Sequence, residues 1–287
     1  MKTIALTLLV LTAGCASRSA QTRYGWFDSA VTVQDEAYAE GFQRVADHLD
    51  QVPCEKLVST WREGRKPVIV LLHGAGGEGP EIDSAVPVLA SGAPSAFYRL
   101  KWSAWDTRKP LTDRMARGIS HLGRCAAESD REVVVIAHSA GGVLVSYVAH
   151  ALDVPVRADG QPTVTVLTVA APLSGAVAAT PMRRPMTHFF FELGRPLEYQ
   201  AAAPGVRVIH LRTSMPGDVQ MAPILGHPPN DPNVGVPGAP TIDLPRSLTH
   251  SGALFYVSKL LATNELDGWL TEKIGSPRAA PSAVAGP

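Results

Sequence analysis

Short, wholly apolar runs alternate with longer stretches of helical spacing through the middle of the chain. Residues 68–72 read VIVLL, and the ten residues 133–142 read VVVIAHSAGG, opening on a β-branched run. Such runs suit strands buried on both faces. Residues 97–102, 164–169 and 206–211 read as further strands. Between them the period changes. Ala37, Phe42, Val45, Ala46 and Leu49 lie on one side of a predicted helix over 34–49, and Met115, Ile119, Leu122 and Ala126 on one side of another over 111–127. Residues 143–152 and 251–261 read as helices too. Strands alternating with helices, each strand nearly all apolar, predict an α/β fold: a mostly parallel sheet with helices on both faces.

Two stretches do not fit that alternation. Residues 176–204 carry Met182, Met186 and a Phe189-Phe-Phe191 triplet among Arg and Pro, and residues 223–245 are thick with Pro and Gly. Both read as insertions beyond strand ends, where such folds place lids and acyl pockets. Residues 275–287 (GSPRAAPSAVAGP) read as a disordered tail. With 287 residues, 45% of them hydrophobic and 18% charged, the chain suits one large globular domain, taken as 34–274. Lys plus Arg equals Asp plus Glu at 26 each, so no net field draws it to nucleic acid.

The N-terminus differs in kind. Lys2 precedes an apolar run at residues 4–13, the form of a signal peptide, which is excluded from the fold. Leu11-Thr-Ala-Gly-Cys15 resembles a bacterial lipobox, with Thr12 at a usually aliphatic place. The resemblance implies removal of residues 1–14, a lipid on Cys15, a tether over 15–33, and a membrane partner through that lipid. Ala16 after the cysteine implies the outer membrane; a plain secretory signal cleaved nearby, leaving the protein periplasmic or secreted, is the alternative. Cys54 and Cys125 then remain. An oxidising compartment invites a disulfide between them, and two unpaired buried thiols are the alternative.

Strand, sharp turn with a serine, then helix is what residues 133–152 spell. Ala137 and Gly141, two before and two after Ser139, are the small residues such a turn needs where strand and helix pass closely. A serine hydroxyl needs a base, and the base an acid that fixes its tautomer. Asp218 follows the strand 206–211 through a Gly-containing turn and is the candidate acid, with Asp243 second. His250, in a loop feeding the last helix, is the candidate base. His48, His73, His121 and His138 all precede the serine, and His210 lies inside a strand. Residues 73–77 (HGAGG), after the strand 68–72, form a loop of backbone donors, so the N–H groups of Ala75 and Ala140 make a candidate oxyanion hole. The glycine run lacks the partner acid of a dinucleotide site, and no metal or other cofactor is called for.

In this order the motifs HGAGG, AHSAGG, Gly217-Asp218 and Thr249-His250 resemble the α/β-hydrolase superfamily, its lipases and esterases above all. The resemblance covers roughly residues 66–262. It implies an α/β-hydrolase fold, shortened at its N-terminal strands because a helix alone precedes residues 68–72. It further implies a serine carboxylic ester hydrolase acting on an apolar acyl ester through an acyl-serine intermediate in the cell envelope. Acyl transfer to an envelope acceptor, or ligand binding without catalysis, are the alternatives.

Overall fold

The computed structural model describes residues 49–64, 66–74, 80–100, 102, 108–174, 198–213 and 235–274. The predicted signal peptide, tether and tail lie outside them, as do the helix over 34–49 except Leu49 and most of both insertions. Among the described residues the elements run α1 (Cys54–Val58), β1 (Val68–Leu72), α2 (Pro80–Ser91), β2 (Ala96–Leu100), α3 (Arg108–Glu128), β3 (Val133–His138), α4 (Ala140–Val148), β4 (Val164–Val169), β5 (Val206–Arg212), β6 (Thr241–Asp243), α5 (His250–Ala262) and α6 (Leu266–Ile274).

The strands form one sheet in the order β2-β1-β3-β4-β5-β6, and every pairing is parallel. Every residue of β1, β3 and β4 is buried, which is why their sequences carry no polar alternation. Alternation survives instead as a choice between two apolar faces. Val68, Val70 and Leu72 of β1 and Val133, Val135 and Ala137 of β3 pack with Leu57 of α1, with Leu111, Met115, Ile119 and Leu122 of α3, and with Val143 and Leu144 of α4. Ile69, Leu71, Val134 and Ile136 point the other way, onto Ala85, Val86 and Leu89 of α2, Ala253, Leu254 and Val257 of α5, and Leu266 and Leu270 of α6. The sheet is thus a central layer with a helical layer on each side.

The strand order reverses direction at one place. From β1 the chain steps outward to β2, then returns to the other side of β1 for β3 and continues outward to β6. The carboxyl ends of β1 and β3 therefore face a crevice at a topological switch point, where open α/β sheets bind ligands.

Four elements depart from the sequence reading: α1 and α2, for which no helix is expected, and β6 and α6. β6 lies inside the stretch 223–245 assigned to an insertion. It is three residues long and enclosed by Pro240 and Pro245, too short to show a period of its own, and an edge is where a sheet tolerates proline. α6 extends the C-terminal end beyond the single helix expected; it buries only Leu266 and Leu270, too few apolar positions to set up a stripe. The helix expected over 111–127 begins earlier, at Arg108, because its first turn is polar.

Cys54 and Cys125 are bonded to each other, tying α1 to the buried face of α3 across 71 residues of sequence. A cross-link closing a loop of that length constrains the unfolded chain by about 4 kcal/mol. Replacing both cysteines with alanine should lower the free energy of unfolding by roughly 2–5 kcal/mol, read by urea denaturation at pH 7. An unchanged midpoint would mean that the bridge does not constrain the unfolded chain.

Candidate active site

Ser139 occupies the single-residue turn between β3 and α4, at the switch point. Its backbone stands at φ 53°, ψ −125°, in the left-handed region that non-glycine residues rarely adopt. Such a conformation costs on the order of 1–3 kcal/mol and persists only where its surroundings enforce it. Here the Ser139 N–H donates to the carbonyl of Val169 at 2.9 Å, and its own carbonyl accepts from Gly142 N–H at 2.9 Å. Small residues make the turn possible. A Cβ on Gly141 would lie 2.3 Å from the His73 oxygen, and one on Gly142 would lie 2.6 Å from the Ala171 Cβ. Ala137, standing where the motif usually has glycine, is fully buried and pairs with Leu72 and Thr168 across the sheet, so its methyl group fits. Ala140 opens α4, where the first N–H groups have no acceptor within the helix.

The end of β1 is held against this turn. A Cβ on Gly74 would meet the Ser139 Cβ at 2.9 Å. His73 Nε2 accepts the Trp102 backbone N–H at 3.1 Å, which leaves the proton on Nδ1, and Nδ1 donates to the Gly74 carbonyl at 2.7 Å. The Trp102 indole N–H donates to the His73 carbonyl at 3.0 Å, and the two rings stack within 2° of parallel. The backbone leading into the glycine loop is therefore fixed beside the serine. Ala75 itself lies outside the described residues.

His250 is the first residue of α5 and only 6% exposed. Burial, with a contribution from His138, pushes its pKa down to about 3, so the ring is neutral near pH 7. The His138 and His250 rings lie 4.6 Å apart, which puts the candidate base next to the residue that precedes the serine. Among the described residues no hydrogen bond joins the Ser139 hydroxyl to His250; in ligand-free enzymes that contact is often long. The sequence reading passed over His138 because of its place in the order. Strand alternation could have found it: next to Ser139, it must face the opposite side of the sheet from α4.

Asp218, the candidate acid, falls in the segment 214–234, outside the described residues. Asp243, the second candidate, ends β6 and is half-exposed. Arg212 grips both its oxygens, Nε to Oδ1 at 2.5 Å and an η nitrogen to Oδ2 at 2.8 Å. That hydrogen bonding holds the Asp243 carboxyl below the usual carboxylate range.

His210 has a different role. Its Nε2 accepts the Val236 backbone N–H at 3.1 Å, so its Nδ1 carries the proton and donates to Thr168 Oγ1 at 2.8 Å. It thereby pins the chain at Val236, just after the segment 214–234, onto the end of β5. His121 converges with Cys54 and Cys125 in a grouping with metal-ligand chemistry, but the two sulfurs are spent on each other. A cavity of about 450 Å³ lies behind the loop after β6, lined by Asp243, Leu244, Arg246, Tyr256 and Trp269 among others; Ser139 and His250 are not among its lining residues.

A parallel sheet of this order, with a strained serine between strand and helix at its switch point and a histidine after the last strand, defines an α/β-hydrolase fold. No family model matches the chain, and no curated protein matches its sequence. Among solved structures it is similar to phospholipase PlaB from Legionella pneumophila in complex with thio-NAD, at 12% identity and a TM-score of 0.46, over 73% of this chain and 58% of that one. It is similar to lipase B of Aspergillus fumigatus at 16% identity and a TM-score of 0.47, over 72% of this chain and 53% of that one. An extracellular α/β-hydrolase from a Paenibacillus species matches at 14% identity and a TM-score of 0.41, over 70% of this chain and 98% of that one. The chain thus spans little more than half the length of the first two. These likenesses concern the fold, and no reaction passes from them to this chain.

The environment of His210 sets an acid limit on stability. It is 4% exposed, and burial lowers its pKa from 6.5 to about 4. The unfolded chain takes up this proton below pH 6.5, whereas the native state refuses it until about pH 4. The stabilisation is complete above pH 6.5 and is lost as pH falls through that window, by on the order of 3 kcal/mol. His210→Gln should flatten the loss of unfolding free energy between pH 7 and pH 4.5, measured by urea titration. Equal slopes in the two proteins would show that His210 is not held neutral.

Proposed function

We propose that the protein is a serine carboxylic ester hydrolase that acts on apolar acyl esters and is anchored to the cell envelope, at the outer membrane, through a lipid on Cys15. The observation that carries the catalytic part is the backbone of Ser139, held at φ 53° where β3 turns into α4. Strain of this kind exposes a hydroxyl at the mouth of the crevice and aims the first N–H groups of a helix beside it.

The chemistry follows from the groups at the switch point. Ser139 Oγ attacks the ester carbonyl while His250 takes its proton; a ring kept neutral by burial is in the form a base requires. As that ring gains charge, the carboxylate of Asp218 compensates it and fixes the tautomer. The N–H groups of Ala75 and Ala140 receive the oxyanion, a contribution of several kcal/mol where donors are preorganised. The alkoxide leaves with the proton from His250, and water, activated by the same ring, releases the acid from Ser139.

A fluorophosphonate probe read by mass spectrometry should label Ser139 and no other residue. Ser139→Ala should lose labelling and lower hydrolysis of a p-nitrophenyl ester by on the order of 10⁴-fold or more, with His250→Ala close behind. Asp218→Asn should lower kcat by roughly 10²- to 10⁴-fold. Asp243→Asn, already committed to Arg212, should stay near normal; the reverse pair of results would transfer the role to Asp243.

Cell fractionation tests the anchor. The wild type should partition with membranes and incorporate a labelled fatty acid, since several acyl chains at about 0.8 kcal/mol per buried CH₂ hold a protein firmly. Cys15→Ser should leave residues 1–14 attached and abolish the label. Wild-type protein that is soluble, with another mature terminus, would remove the lipid and leave the catalytic reading intact.

A further inference from the structure

His138 stands between the two catalytic candidates in a way that a serine-histidine-acid triad does not by itself require. Along β3 the odd-numbered residues face α3 and α4, and the even-numbered ones face α2 and α5. Ser139 continues into α4, so the side chain before it is sent to the opposite face, where α5 begins. There His138, 1% exposed, has Nε2 3.1 Å from the carbonyl oxygen of His250, 112 residues away in sequence. A carbonyl only accepts, so Nε2 of His138 carries the proton and donates.

We propose that His138 is a positioning residue whose Nε2–H holds the carbonyl of His250, fixing the first turn of α5, and with it the imidazole of the base, to the strand that presents the nucleophile. This rests on the reading of Ser139 and His250 as nucleophile and base. Two hydrogen bonds made by Thr249 at this helix start are local. Thr249 Oγ1 accepts from Gly252 N–H at 3.0 Å, and the Thr249 carbonyl accepts from Ala253 N–H at 2.9 Å. They shape the turn without tying it to the sheet. The apolar contacts of Ala253, Leu254 and Val257 set how far α5 stands from the sheet. Packing of that kind leaves a helix more freedom to slide and rotate than a directional bond does, and the bond from His138 removes that freedom. It meets the backbone of His250, so the ring is left to address the serine and the acid. Because the two rings are only 4.6 Å apart in a buried place, a charge on His138 would oppose the charge that His250 gains when it takes the serine proton. His138 therefore works as the neutral Nε2–H tautomer.

The test compares wild type, His138→Phe, which keeps a planar ring without a donor, and His138→Gln, which restores an N–H at similar reach. Measured with a short-chain p-nitrophenyl ester, His138→Phe should lower kcat by roughly 10- to 10²-fold, the size of effect expected when a catalytic group is misplaced. KM should change by less than about twofold, and labelling of Ser139 by fluorophosphonate should slow in parallel. His138→Gln should recover most of both rates, and thermal unfolding should show each variant folded. Independently of activity, ¹⁵N spectra of the wild type should find the His138 proton on Nε2, and His138→Phe should shift the His250 ring resonances. Full activity in His138→Phe, equal impairment in His138→Gln, or a proton on Nδ1 would each overturn the proposal. If wild type neither hydrolyses esters nor takes the probe, the proposed function falls instead, and the tautomer with the His250 shift still decides whether His138 holds the base.

Discussion

Between Gly141 and the carbonyl of His73 there is no room for a methyl group, since a Cβ at Gly141 would stand 2.3 Å from that oxygen. The site is built around this close approach. It brings the first turn of α4 down onto the end of β1, forces Ser139 into a backbone conformation that its neighbours must enforce, and sets Gly74 against the serine from the other side. Substituting any of these small residues with a larger one would separate the two strand ends that form the crevice. The surrounding hydrogen bonds serve the same approach: Trp102 clamps His73, and Val169 receives the serine N–H.

Among the described residues, three buried histidines link distant segments of the chain. His73, His210 and His138 are buried, and each has at least one ring nitrogen bound to the main chain in a way that fixes where its proton sits. Burying an imidazolium would be costly, so these rings act as neutral, directional links between segments far apart in sequence. His210 joins β5 to the chain at Val236. His73 joins the end of β1 to the chain after β2.

Much of this was legible in the residues. The strands were visible because each is a continuous apolar run, and the parallel layered fold followed from their alternation with helices. The Ser139 turn was visible because its small residues have fixed offsets. β6 was not, because three residues between prolines offer no period; α6 was not, because two buried leucines make no stripe. The partnerships of His73 with Trp102 and of His138 with His250 join positions that no local pattern connects. The place of Asp243 was open in the sequence, and its commitment to Arg212 depends on a pairing between β5 and β6 that only the fold provides.

The proposed nucleophile and base belong to different layers of the molecule. Ser139 leads into α4, whose Val143 and Leu144 sit in the core on one face of the sheet, whereas His250 leads α5, whose Leu254 and Val257 sit in the core on the other. Neither layer alone holds both groups, and among the described residues the sheet is the body common to them. A partly assembled chain with one core formed would display either the serine or the histidine in place, but not the pair. The proposed pair is thus completed only when both cores close on the sheet, and a half-collapsed chain would not hold it together.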